Sequence, residues 1–360
     1  MWQRNVRCWC NSELTYENCH LQRDERGQTT RGEVEAASDS VRGDSRLCLH
    51  PSAPIGHCQG RIVKAHSIQQ SRILDSICDA GNHLLTFRTR NRGEDGYPDP
   101  ERIGINRAST FTGFCRNHDR ETFRPIETIP FEGTKEQVFL LGFRALCSEV
   151  YARVLQEKMN AITLHHAQRL GNEEVIEAIE AYDAGAQQGR AKTMEDKARY
   201  DDALRSGNLN GISGLVIRLA GTQSISATGT TGPEYDFDGQ LLQDMMAPLD
   251  YLQFSLIKAD SGPTAVFTWV TPNEPTTALL GSLRRLDNGQ IPHAIVRYAF
   301  EHFENIYFSP VWWNGMSEAA RQKLRVRALS GLPTLDRGAD CLRDDGFRLV
   351  DWTVTRVSEV

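Results

Sequence analysis

Cysteine placement constrains this chain more than any other feature. Seven of its nine cysteines fall in the first third of 360 residues, and six of them (Cys8, Cys10, Cys19, Cys48, Cys58 and Cys115) stand in clusters with other Cys or His. The N-terminus, MWQRNVRCWCNSE, has no apolar run ahead of a small-residue cleavage site. No secretory signal is therefore expected, and the chain reads as cytoplasmic. Thiols stay reduced in that compartment, so clustered Cys and His point to metal rather than to disulfides. Cys78, Cys147 and Cys341 are scattered and read as ordinary thiols.

The first cluster is Cys8-Trp9-Cys10, then eight residues, then Cys19-His20. Four soft or borderline donors in so short a segment suit one tetrahedral zinc. The segment is too short to bury a core, so the metal would supply its folding energy. Tyr16 could pack against the ligand shell. The C-x-C pair, Ser12, Tyr16 and the closing Cys19-His20 pair resemble the SEC-C motif, a small zinc knuckle. The resemblance implies zinc on Cys8, Cys10, Cys19 and His20, and docking towards proteins or the ribosome. The chain departs from the usual pattern at Asn11, where glycine is common, and carries Glu13, Leu14, Glu17 and Asn18 where basic residues usually lie. Residues 23–46 are polar, mixed in charge and nearly devoid of large apolar side chains, as in a flexible linker.

The second cluster is longer. Cys48-Leu49-His50 and His57-Cys58 flank a Pro/Gly loop, and Cys115 and His118 stand three apart at the start of a helical pattern. Cys48, Cys58, Cys115 and His118 make a sound structural zinc set, with His50 and His57 as competing donors in the first half. Between the halves lie an apolar strand ending in Ala65-His66, an irregular insert, and a second strand from Ser109 to Phe114. This order resembles a zinc-supported treble clef, and specifically the HNH endonuclease ββα-metal unit. The resemblance implies a histidine at the end of the first strand as general base, a position matched by His66. The zinc pair matches Cys115 and His118. The catalytic-metal position falls on Asp119, where the family carries histidine, and implies Mg or Mn. The family's middle asparagine would fall near Thr110.

Charge adds a local hint. The whole chain has net charge −6, which argues against a globally basic nucleic-acid coat. Residues 59–124 nevertheless hold eleven Arg/Lys against eight Asp/Glu. Arg88, Arg90 and Arg92 alternate, so an extended segment would place them on one face, either as a phosphate-contacting ribbon or as a solvated loop. The insert GEDGYPDPERIG is rich in turn residues and reads as exposed.

From Lys135 to about Leu170 apolar residues recur at helical spacing behind a Thr134 start signal. A second, acidic helical stretch runs from about Glu173 to Leu204, with a break expected at Gly185 to Gly189. From Gly211 the runs LVIRLA, SISATG, LQFSLIKA and AVFTWV, separated by Gly, Pro and Asp, fit a small antiparallel sheet. Asp236 and Asp238 lie in a turn and could share a metal. Further helices are expected near 277–286, 294–307 and 317–328, and a last strand within 347–357. The aromatic segment ending in Trp312-Trp313 is either a core edge or a base-stacking platform. No run of about 18 apolar residues exists, so no membrane partner is expected.

The chain is therefore expected to be α+β, divided into a knuckle (1–22), a linker (23–46), an HNH-like zinc unit (47–132), a helical region (133–208) and an α+β domain (209–360). Two functions fit. One is an HNH-like metal-dependent nuclease with His66 as base and Asp119 as metal ligand, a family identity associated with defence against foreign DNA. The other is a non-catalytic zinc adaptor that docks to nucleic acid, ribosome or a protein partner.

Overall fold

The computed structural model describes residues 5–6, 15–18, 40–41, 45–53, 58, 60–171, 173–244, 247–260, 262–330 and 337–360. Cys8, Cys10, Cys19 and His20, the ligands expected for the knuckle, lie outside the described residues, as does His57. The architecture is α+β, as the sequence predicts, and both sheets are antiparallel.

The first strand, β1 (Ile62–His66), precedes two strands that come from the insert, β2 (His83–Arg92) and β3 (Pro98–Gly104). Then come β4 (Thr110–Cys115) and helix α1 (Arg116–Glu127). Two long helices follow, α2 (Lys135–Leu170) and α3 (Glu173–Ser206). Four strands come next: β5 (Ile212–Ala220), β6 (Ile225–Thr231), β7 (Leu252–Ala259) and β8 (Gly262–Val270). After α4 (Glu274–Arg285) and α5 (Ile291–His302), β9 (Ile306–Phe308) re-enters the sheet. Helices α6 (Pro310–Gly315) and α7 (Glu318–Ser330) lead to β10 (Thr353–Glu359).

β1 and β4 pair as a two-stranded hairpin. The other eight strands form one sheet in the order β10-β5-β8-β7-β6-β9-β2-β3. The insert that sequence reading left irregular thus supplies two strands to a sheet built mostly from the C-terminal half. β3 lies at the sheet edge, where Pro98 and Pro100 are tolerated because they carry no ladder N–H. Its turn is held from afar, because Arg325 on α7 pairs with Asp95 at 2.7 Å and Asp99 at 2.9 Å.

Alternation sorts the sheet into two faces. Leu215, Ile217, Phe254 and Phe267 pack against Leu283, Ile295, Phe300 and Leu324 of α4, α5 and α7. Val216, Ile257 and Val266 face the other way, towards Val138 and Leu141 of α2. That second face is partly polar: Tyr200 of α3 donates to Gln253 at 2.7 Å. Helix α2 starts where Thr134 accepts a hydrogen bond from the Gln137 N–H, and ends at Gly171 in the left-handed region.

Helix α3 runs unbroken through Gly185 and Gly189. A Cβ at Gly189 would reach the Arg153 guanidinium and sit 3.0 Å from the Tyr251 hydroxyl, so this glycine serves close helix packing rather than a break. At the N-terminal end, Tyr16 is buried with its ring edge-on to His165 of α2, 5.7 Å between centroids. Among the described residues no helix is long and apolar enough to cross a membrane.

Candidate metal centre

The β1–β4 hairpin brings the second cluster together. Ile62 pairs with Cys115 and His66 with Thr110. Segment 45–53 runs along the outer side of β4, with Leu47 N–H donating to Thr112 at 3.3 Å and Leu49 N–H to Gly113 at 2.9 Å. That pairing aims Cys48 at the end of β4. A Cβ at Gly113 would collide with the Phe111 ring and touch Leu49, so only glycine lets the segment lie this close. Helix α3 fixes the loop from outside, as Lys197 donates to the Leu49 carbonyl at 2.8 Å and Arg205 to that of Pro51 at 3.4 Å.

Cys115 is the extended residue before α1, and His118 sits in its first turn, so both side chains point to one spot. One ligand atom from each of Cys48, Cys58, Cys115 and His118 lies within 4.8 Å of all the others. His118 Nδ1 is 3.3 Å from Cys48 Sγ and 3.4 Å from Cys115 Sγ. Zn–S bonds near 2.3 Å and a Zn–N bond near 2.05 Å at tetrahedral angles would set sulfur and nitrogen about 3.6 Å apart. The cluster is therefore already close to the size of a tetrahedral shell and can hold one metal ion. Burial and the neighbouring Cys115 and Cys48 sulfurs push the Cys58 thiol up to about 12. Burial also raises Cys115, but the His118 N–H and the other sulfurs outweigh it and hold that thiol below its ordinary value. Three thiols so crowded ionise together only beside a cation.

The four residues nominated by spacing thus meet. The competing donor His50 does not join them. Its ring stacks on His118 at 3.9 Å, its Nδ1 accepts from the Ser52 N–H, and burial pushes it down to about 4. Cys147 lies buried on α2, and burial pushes its thiol up to about 12.

His66 ends β1, and the turn after it is pinned. Ser109 Oγ accepts from the Ile68 N–H at 2.9 Å and lies 2.5 Å from Ser67 Oγ. The His66 ring hydrogen-bonds the Ile105 backbone, while its Nε2 is shielded and has no partner among the described residues. Burial, then the Arg144 cation, hold His66 below its ordinary value. Asp119 follows the ligand His118 directly. Its Oδ1 is likewise shielded and unpartnered, and burial holds its carboxyl above the usual range, with Arg144 opposing and Glu127 adding to the shift.

Arg144 and Glu127 are the neighbours common to both groups. They bond each other at 2.7 Å, and the Arg144 guanidinium lies 4.0 Å over the Phe123 ring with its Nε unpartnered. Sequence reading nominated His66 and Asp119 but missed Arg144, Glu127 and Ser109. Arg144 is buried in the middle of a helix pattern, where nothing local marks it.

Other sequence candidates resolve differently. Arg88 is 3.8 Å from Glu101 on the neighbouring strand, and Arg92 donates to the Gly96 carbonyl across its own turn. The Arg90 side chain lies outside the described residues. Asp236 accepts from the Asp238 and Gln240 N–H groups, and Asp238 pairs with Arg285, so turn chemistry accounts for both. Phe308 and Trp313 belong to the main core and Trp312 packs against it, which makes the aromatic run a core edge.

A family model, the SEC-C motif, matches residues 4–22. No curated protein and no solved structure matches the chain. Residues 4–22 thus carry a SEC-C motif, and a separate Cys/His cluster able to hold a metal closes the hairpin and α1.

Proposed function

We propose that the Cys48–Cys58–Cys115–His118 cluster is a structural zinc site, and that the unit it closes is an HNH-like nuclease centre acting on nucleic-acid phosphodiesters. The observation that carries this reading is that His66 Nε2, Asp119 Oδ1 and Arg144 Nε are each shielded and unpartnered among the described residues, with Arg144 and Glu127 acting on both His66 and Asp119. Buried polar atoms are normally hydrogen-bonded, and a group of exceptions calls for a function or a ligand. Three cysteines and a histidine at this spacing favour zinc over harder ions.

His66 would act as general base. A ring that donates to the Ile105 carbonyl keeps its other nitrogen as an acceptor, and a lowered pKa keeps that acceptor unprotonated at neutral pH. Nε2 would take a proton from water, the water oxygen would bond to phosphorus, and the bridging P–O bond would break with the sugar oxygen leaving with the electron pair and taking up a proton from solvent. Ser109 keeps the turn after His66 fixed during this transfer. Asp119 would be the carboxylate to hold Mg or Mn, with Glu127 near it. Such an ion, when bound, neutralises charge on the phosphate.

The second reading is a non-catalytic zinc adaptor that docks to nucleic acid, ribosome or a protein partner. It is favoured by the shielding of His66 Nε2 and by the SEC-C motif. The test is cleavage of supercoiled plasmid and of labelled RNA by zinc-loaded protein with added Mg or Mn. Cleavage by the wild type that is lost in His66→Ala sustains the nuclease. Absence of cleavage on both substrates, or equal cleavage by both proteins, assigns the adaptor role.

A further inference from the structure

A cavity of about 640 Å³ opens beside the His66 turn, with Ser67 in its wall. Its size falls within the range of ligand pockets, on the order of 300–1,000 Å³. Arg144 lines it, with a side chain only 3% exposed. Phe123 lies behind the guanidinium and Glu127 takes Nη2, which fixes the group in place and leaves Nε without a partner among the described residues. A buried guanidinium edge left unpaired is destabilising unless an acceptor meets it. Lys258 and Arg72, both exposed, also line the cavity. Asp75 and Asp260 oppose them and Glu127 already pairs with Arg144, so the charges balance, and the unpartnered Arg144 Nε is what sets the site apart.

We infer that this cavity binds the phosphate backbone of a nucleic-acid strand, with Arg144 reading the phosphate in the interior and Lys258 and Arg72 steering it in. Anionic oxygen is the chemistry that satisfies a fixed, unpaired guanidinium. The identity of the ligand as nucleic acid rests on the nuclease reading, whereas the anion site itself does not. The site spans two parts of the fold, because Arg144 and Lys258 come from α2 and β7 while Ser67 and Ile126 belong to the hairpin-and-helix unit.

The experiment measures fluorescence anisotropy of a labelled single-stranded oligonucleotide on full-length, zinc-loaded protein without added Mg or Mn. It is repeated at several salt concentrations and with inorganic pyrophosphate as competitor. Lys258→Glu, an exposed change, is expected to weaken binding about tenfold and to lower the salt slope by about one. Arg144→Lys is expected to weaken binding further while pyrophosphate competition is lost. Wild-type protein that binds neither probe, or a Lys258→Glu affinity within about twofold of wild type, overturns the site. The two proposals fail separately. Tight, variant-sensitive binding without cleavage removes the nuclease and leaves the anion site. Cleavage lost in His66→Ala but unaltered oligonucleotide binding in Lys258→Glu removes the anion site and leaves the nuclease.

Discussion

Replacing Asp119 by Asn separates a functional carboxylate from a structural one. The Asp119 carboxyl is held above its ordinary value, mainly by burial and then by Glu127, with Arg144 only partly compensating. A group whose native pKa is raised binds more protons in the folded than in the unfolded chain over the window between the two values. Stability therefore falls as pH rises through that window, and the full penalty persists at neutral pH. Asn keeps the shape and removes the charge, so Asp119→Asn should stabilise the protein at pH 7.5 by up to about 1 kcal/mol. The control is Asp79, which is held below its ordinary value by the His83 and Gly81 N–H groups and by Arg102, so Asp79→Asn should lower stability. The assay is urea unfolding of the zinc-loaded proteins, followed by tryptophan fluorescence. The nuclease reading adds that Asp119→Asn loses cleavage while gaining stability. A loss of stability on Asp119→Asn would refute the argument, because the carboxylate would then be a net partner of Arg144.

The remaining predictions concern the hairpin and the helix behind it. Cys115→Ser should release one equivalent of zinc by elemental analysis and destabilise the fold by about 4 kcal/mol or more, since the metal supplies the local folding energy. Ser109→Ala leaves the Ile68 N–H unpaired and should cost about 1–2 kcal/mol in the same unfolding assay, with a larger fractional loss in any cleavage rate. Gly142→Ala would force a methyl against Thr268 Oγ1 and the Tyr200 hydroxyl, where α2 packs on the sheet, and should cost about 1–3 kcal/mol.

What the sequence revealed was local chemistry, and what it hid was long-range pairing. Cys115 and His118 could be nominated because three residues at a helix start bring two donors together whatever else the chain does. Thr134 announced α2 because its hydroxyl caps the first turn, and the apolar positions Val138, Leu141, Leu146 and Val150 are all buried. The eight-stranded sheet was not legible as one body. β2 reaches β9 through a single pairing of Leu85 with Phe308, across more than two hundred residues, and no local pattern encodes that choice. The same holds for the polar group around His66. Glu127 ends α1 and Arg144 lies within α2, and only packing of one helix on the other joins them to Asp119. Composition misled at Gly185 and Gly189, since α3 runs through both, and at Gly189 close packing against Arg153 and Tyr251 overrides the cost of glycine.

Both readings of the hairpin-and-helix unit require thiolates and one imidazole to close around a zinc ion at the end of β4. Zinc K-edge absorption on a Cys10→Ser, Cys19→Ser variant isolates that site from the N-terminal motif. The account predicts one zinc per chain with three sulfurs at about 2.3 Å and one nitrogen at about 2.0–2.1 Å. A protein without zinc, or a shell dominated by oxygen, would contradict it.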